Sequence, residues 1–167
     1  MPRHGDLVYL RNGQGGFVGA VAGTDKLKTV PISEALGQFI LQAIDAKRIA
    51  LRHQVSGKYL GGSSKAGESP FLVGSCQQCE YLTTNVLPNG MVMLINHNNC
   101  RLSKDDGDKL VWSNNNRLSE SWNFDIIQKY KSGVDFDNVK INGPLLLTEK
   151  EAMLTNLIPP SGSELAI

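Results

Sequence analysis

Cysteine is scarce in this chain, long hydrophobic runs are missing and net charge is nearly nil, and each shortage removes a class of answer. The three cysteines, Cys76, Cys79 and Cys100, are too few and odd in number for a secreted scaffold held by disulfides. They lean towards a reducing compartment. The opening Met1-Pro2-Arg3-His4-Gly5-Asp6 has no basic region followed by an apolar one, so a cytoplasmic or leaderless-secreted protein is expected. No apolar stretch approaches the ~20 residues that a membrane-crossing helix needs. Seventeen Lys and Arg against sixteen Asp and Glu leave a formal net charge of +1. Nucleic-acid binding would require a basic stripe that this balance does not supply.

Catalytic signatures are lacking as well. There is no Gly-x-Ser-x-Gly elbow, and Ser63-Ser64 sit in a glycine-rich turn without a partner base. Gly13-Gln14-Gly15-Gly16 lacks the lysine and the following helix of a phosphate loop. Asp105-Asp106 belong to a turn and read as solvated loop acids. Cys76-Gln77-Gln78-Cys79 has the spacing of a redox pair but no helix to lower a thiol pKa. As a zinc site it lacks a second ligand pair. Plain thiols, a disulfide and a metal site completed by Cys100 and a histidine remain the readings for it. His4, His53 and His97 are scattered, without His-x-x-x-His spacing. The expectation is therefore a protein that is not an enzyme, with no cofactor and no metal.

What is present is a repeat. The first segment runs Leu7-Val8-Tyr9-Leu10-Arg11 and then Gly16-Phe17-Val18. The second runs Arg48-Ile49-Ala50-Leu51-Arg52 and then Gly57-Lys58-Tyr59-Leu60. The third runs Met91-Val92-Met93-Leu94-Ile95 and then Asn99-Cys100-Arg101-Leu102. Leu10 to Leu51 spans 41 residues and Leu51 to Leu94 spans 43. From first to second anchor (Leu10 to Val18, Leu51 to Leu60, Leu94 to Leu102) the intervals are 8, 9 and 8. Closing strands follow around Phe39, Tyr81 and Phe124, at 21, 21 and 22 residues from the second anchor. Apolar residues alternate about Tyr9, Ala50 and Met93 with the period of a strand. Turn clusters at Asn12–Gly16, Gly61–Ser64 and Asp105–Asp108 separate the strands. Many short strands at this spacing indicate a closed all-β architecture, in which no sheet edge is left open.

Together with the Ser56-Gly57-Lys58-Tyr59-Leu60-Gly61 run, this unit resembles the β-trefoil superfamily, and within it the fascin-like, actin-crosslinking-like domains. The resemblance covers about residues 5–128 and implies three repeats, 5–45, 46–88 and 89–128. A fascin-like partner would be actin or another cytoskeletal protein, with bundling dependent on a homodimer. The chain departs from ricin-type lectins, whose closing strands carry Gln-x-Trp. Here those strands read Gln38-Phe39, Glu80-Tyr81 and Asn123-Phe124. Residues 129–167 form a C-terminal extension. A last strand is expected around Val134-Asp135-Phe136, and a short helix after Thr148 that Pro159-Pro160 ends.

The third segment gathers amides, hydroxyls and indoles in Asn96-His97-Asn98-Asn99, Trp112-Ser113-Asn114-Asn115-Asn116-Arg117 and Ser121-Trp122. Amides match sugar hydroxyls in both donors and acceptors, and an indole face packs on a pyranose C–H face. The candidate ligand-binding residues are Trp112, Asn114, Asn115, Asn116, His97, Asn98 and His53. Against each stands a structural reading: Asn is frequent in turns, and a loop histidine is commonly a solvated side chain with no ligand to contact. A lectin-like glycan binder is the first expectation and the actin module the second. The third is a protease inhibitor acting through the segment between Thr24 and Leu36.

Overall fold

Among the described residues the chain forms twelve short antiparallel strands in a computed structural model. The structure describes residues 1–114 and 118–129. The expected strand and helix of the C-terminal extension lie outside the described residues. The first repeat holds β1 (Leu7–Asn12), β2 (Phe17–Ala20), β3 (Leu27–Val30) and β4 (Gln38–Ala43). The second holds β5 (Arg48–His53), β6 (Tyr59–Gly62), β7 (Pro70–Val73) and β8 (Leu82–Val86). The third holds β9 (Val92–Ile95), β10 (Arg101–Lys104), β11 (Leu110–Ser113) and β12 (Trp122–Gln128).

The first and last strands of each repeat close a six-stranded barrel. β1 pairs with β4, β4 with β5, β5 with β8, β8 with β9, β9 with β12, and β12 returns to β1. The hairpins β2–β3, β6–β7 and β10–β11 sit outside that ring. This is the β-trefoil that the repeat implied. Leu10, Leu51 and Leu94 are fully buried in one cluster, together with Val18, Leu60 and Leu102. Both sets of anchors therefore converge about the axis as aligned.

The closing anchors need correction. Val8 lies opposite Phe39, Ile49 opposite Leu82, and Val92 opposite Trp122. The equivalent trio is therefore Phe39, Leu82 and Trp122, in place of Phe39, Tyr81 and Phe124. Each member comes two residues after a short 3-10 turn: Ala35–Gly37, Gln78–Glu80 and Leu118–Glu120. That turn sets the phase of the strand. Tyr81 points the other way, into a second cluster with Ile44, Ala50, Tyr59 and Cys76. Trp122 is buried with its indole N–H donating to Leu102 O at 2.9 Å, so its polar atom is satisfied within the core.

Two sets of contacts lock the repeats to one another. Two positions beyond the core leucine stand Asn12, His53 and Asn96, all buried. Asn12 Nδ2 donates to Ser119 O at 2.8 Å, His53 Nε2 to Leu36 O at 2.6 Å, and Asn96 Nδ2 to Ser64 O at 2.9 Å. Each bond ends in a different repeat from the one it starts in. The hairpin turns form the second set. Leu72 N donates to Asp25 O and Trp112 N to Glu68 O, both at 2.8 Å, while Thr29 Oγ1 donates to Asp108 O. Thr29, Leu72 and Trp112 occupy the same place in their hairpins, opposite Val18, Leu60 and Leu102. The turn of each hairpin is thus held by the third strand of the next.

Leu51→Ala, Leu94→Ala and Leu82→Ala are each expected to cost about 2–5 kcal/mol in urea unfolding. A loss near zero at Leu82 would return the anchor to Tyr81. The buried His4 accepts the Ala43 N–H at 3.0 Å through Nδ1, and burial pulls its pKa from 6.5 to about 4. The folded state refuses a proton that the unfolded chain takes up. Stability is therefore complete above pH 6.5 and falls as the pH drops towards 4, by about 3 kcal/mol from this group. The His4→Gln variant should flatten that part of the stability–pH curve; an unchanged slope would exclude His4 as its source.

Candidate functional site

The segment joining β6 to β7 carries the left-handed residue Ser64 (φ 60°) and is pinned at both ends. Asn96 Nδ2 and Asn98 Nδ2 both donate to Ser64 O, at 2.9 and 3.1 Å. Further along, Gly67 N donates to Trp112 O and Trp112 N to Glu68 O, each at 2.8 Å. These bonds hold the segment against β10 and β11 and leave a groove between them. Its volume is about 520 Å³, and its walls are Lys65, Ala66, Asn98, Asn99, Arg101 and Asn114, with Cys100 at the base. A second cleft of about 350 Å³ adjoins it, sharing Ala66 and Asn114 and continuing past Ser103 and Asp106.

The amides of the groove retain hydrogen-bonding capacity. Asn98 spends its N–H donors on Ser64 O and Ser64 Oγ, which leaves its side-chain carbonyl as an acceptor. Asn114 Oδ1 accepts the Cys100 thiol at 3.5 Å, which leaves its N–H pair as donors. An acceptor and a pair of donors lining one groove, both beside Cys100, suit vicinal hydroxyls. Arg101 reaches Asn114 O through Nη1 at 3.5 Å, and its Nε has no acceptor among the described residues.

The structure brings only part of the expected set together. Asn98 and Asn114 share the groove. His97 is exposed on the same turn as Asn98 but is not among the groove's walls. Asn115 and Asn116 lie outside the described residues. Trp112 and His53 are corrections. Trp112 is 1% exposed, because its place opposite Leu102 is the core place that Leu72 takes opposite Leu60. No face of the indole is left for a sugar. His53 is 2% exposed, whereas a loop position had been expected. Its Nε2–H donates to Leu36 O, so Nδ1 accepts from Ser56 Oγ at 2.8 Å. Burial lowers its pKa, opposed by the Leu36 carbonyl. It is a staple between repeats, not a ligand contact.

Other motifs also answer to the fold. Cys76 is buried with a free thiol, and burial, aided by the nearby Glu80 carboxylate, pushes its pKa up to about 12. A thiol so reluctant to ionise is a poor nucleophile. The Cys79 side chain lies outside the described residues. No group of three or more His, Cys, Asp or Glu placed to hold a metal occurs among the described residues. In the Ser56-to-Gly61 run, Gly57 adopts φ +74° beside Arg52, Lys58 pairs with Asp25 at 2.6 Å, and Tyr59 and Leu60 are fully buried. A Cβ at Gly61 would stand 2.7 Å from Glu80 Cγ. The segment between Thr24 and Leu36 is partly strand, since β3 pairs with β2 within it.

Lys65 and Arg101 went unnoticed in the sequence. They lie far apart along the chain, and no motif joins them. Only the docking of the β6–β7 turn on the third repeat brings them to one groove.

No family model and no curated protein matches the chain. Solved structures do, at identities that speak for the fold alone. SeviL, solved with an asialo-GM1 saccharide, is 15% identical with a TM-score of 0.64, over 74% of this chain and 99% of its own. The Polyporus squamosus lectin, solved with the epitope Neu5Acα2-6Galβ1-4GlcNAc, is 12% identical with a TM-score of 0.66, over 81% of this chain and 60% of its own. A GlcNAcα1-4Gal-releasing endo-β-galactosidase from Clostridium perfringens is 16% identical with a TM-score of 0.65, over 74% of this chain. The match spans only 33% of that enzyme's length. The chain thus has a β-trefoil fold.

His53→Ala and Asn96→Ala are each expected to lower stability by about 1–3 kcal/mol, the first because it removes the side-chain donor to the Leu36 carbonyl, the second because it removes the carbonyl that accepts from Asn98 N and the buried Cys100 N. Asn98→Ala, at an exposed position, should stay within about 0.5 kcal/mol of the parent. Urea unfolding of the three variants checks this ordering, and equal stabilities would remove the staple role.

Proposed function

We propose that this chain is a non-enzymatic, lectin-like glycan-binding protein that engages a saccharide in the groove between its second and third repeats. The observation that carries the reading is the pair of amides, Asn98 with an acceptor to offer and Asn114 with donors, in one groove whose lining is pinned by hydrogen bonds between the second and third repeats. Walls fixed before binding lower the ordering cost that weak sugar contacts must overcome. The fold supports the same reading, since lectins solved with saccharides share it. The match to the endo-β-galactosidase spans only 33% of that enzyme, and its activity is not carried over.

Shallow recognition of this kind uses few contacts, so each should weigh heavily. The actin reading rests on the Ser56-to-Gly61 run, which folding employs, and the protease-inhibitor reading rests on the segment between Thr24 and Leu36, part of which is tied into strand β3. No observation favours either.

A glycan array followed by calorimetry on the best binder tests the proposal. Asn98→Ala and Asn114→Ala should each weaken binding by about tenfold, the worth of one or two hydrogen bonds, with an unchanged circular-dichroism spectrum. Retention of no glycan at all, or full affinity in both variants, would overturn it.

A further inference from the structure

The three junctions between repeats are built alike, and comparing their charges separates one from the other two. At the first junction the β2–β3 turn supplies Asp25, which pairs with Lys58 at 2.6 Å. At the junction of the third repeat with the first, the β10–β11 turn supplies Asp108, which pairs with Lys104 at 3.3 Å. Lys104 also donates to Gly15 O at 3.0 Å, so its ammonium is spent on the protein. The equivalent turn residue at the second junction is Glu68, whose backbone carbonyl takes the Trp112 N–H as that of Asp25 takes the Leu72 N–H. Glu68 enters no ion pair among the described residues and does not line the groove.

Two cations line it instead. Lys65 is exposed and has no ion-pair partner among the described residues. Arg101 is half-buried: its Nε is buried with no acceptor among the described residues, Nη1 is engaged only at 3.5 Å, and Nη2 is the N–H group left to a ligand. Among the described residues no Asp or Glu lines the groove. At two junctions, then, a lysine is neutralised from within, whereas at the remaining one a lysine and an arginine face a polar groove with no acid beside them among the described residues. A guanidinium with N–H groups to spare is a natural partner for a planar carboxylate or a sulfate.

Building on the glycan reading, we infer that the groove selects acidic saccharides, with Arg101 and Lys65 meeting a carboxylate or sulfate while Asn98 and Asn114 meet neighbouring hydroxyls. The acidic group and the hydroxyls would then be read by different walls of one groove.

The test is calorimetry with sialyllactose, sulfated lactose and plain lactose on the intact chain, at low and high salt. Either or both acidic ligands should bind about tenfold or more tightly than lactose, the worth of a charge-assisted hydrogen bond. Comparing the two tells carboxylate from sulfate. The advantage should shrink with salt, because the contact is only partly shielded from solvent. Arg101→Gln and Lys65→Gln should each weaken binding of the acidic ligands by about tenfold more than binding of lactose, and so remove the preference for charge, with the unfolding midpoint near that of the parent. Equal affinity for acidic and neutral ligands, or a preference that survives both substitutions, would overturn the inference and leave the lectin reading standing. Failure to bind any of the three ligands, or any glycan on the array, would bring down both.

Discussion

Closing a ring of six strands from three loosely similar segments requires each segment to hold its neighbour, because no repeat of about forty residues can bury a core alone. The hydrogen bonds that run from one repeat into another meet that requirement here. Asn12, His53 and Asn96 reach backbone carbonyls of other repeats from inside the barrel. Asp25, Glu68 and Asp108 accept from the third strand of the next hairpin outside it. All of these bonds are non-local, so hydrophobic burial must bring the segments together before any of them can form. Once formed, they fix register, since a one-residue slip would turn Leu10, Leu51 or Leu94 out of the core.

The groove follows from the same bonds. Its walls belong to different repeats, and the contacts that pin them are those that assemble the fold: Asn96 to Ser64, and the two backbone bonds between Trp112 and the turn at Gly67 and Glu68. Folding thus prepares the walls before any ligand arrives. This also explains why Trp112 is not available as a sugar platform. A strand residue that must donate its N–H to the neighbouring turn and face Leu102 has its side chain directed into the core by the pleat.

Legibility in the sequence tracked how local each constraint is. The anchors Leu10, Leu51 and Leu94, and Val18, Leu60 and Leu102, could be read because strand spacing within a repeat depends on a single short turn. The closing anchors slipped because aromatic identity was followed where the phase is set by a 3-10 turn. Tyr81 stands one residue ahead of Leu82, and Phe124 two residues beyond Trp122. Asn98 and Asn114 were legible as amide-rich loops. His53 was not legible as a staple, since an asparagine in two repeats and a histidine in the third share a position but not a letter. Lys65 and Arg101 left no trace, because their proximity arises only from docking one repeat on another.

Pseudo-symmetry makes the remaining point about where function can reside. The Ser56-to-Gly61 run, which carried the resemblance to fascin-like domains, is used throughout by folding: a left-handed glycine, a paired lysine, two buried side chains and a glycine that admits Glu80. Letters that every similar barrel must supply identify the barrel and say little of its partner. What distinguishes one junction from the next is the composition laid over a shared backbone. Acids that neutralise Lys58 and Lys104 close two junctions electrostatically, and the lack of one beside Lys65 and Arg101 among the described residues leaves the remaining junction with unspent charge. In a fold whose three parts meet the same mechanical demands, the departure from symmetry is the place to look for recognition.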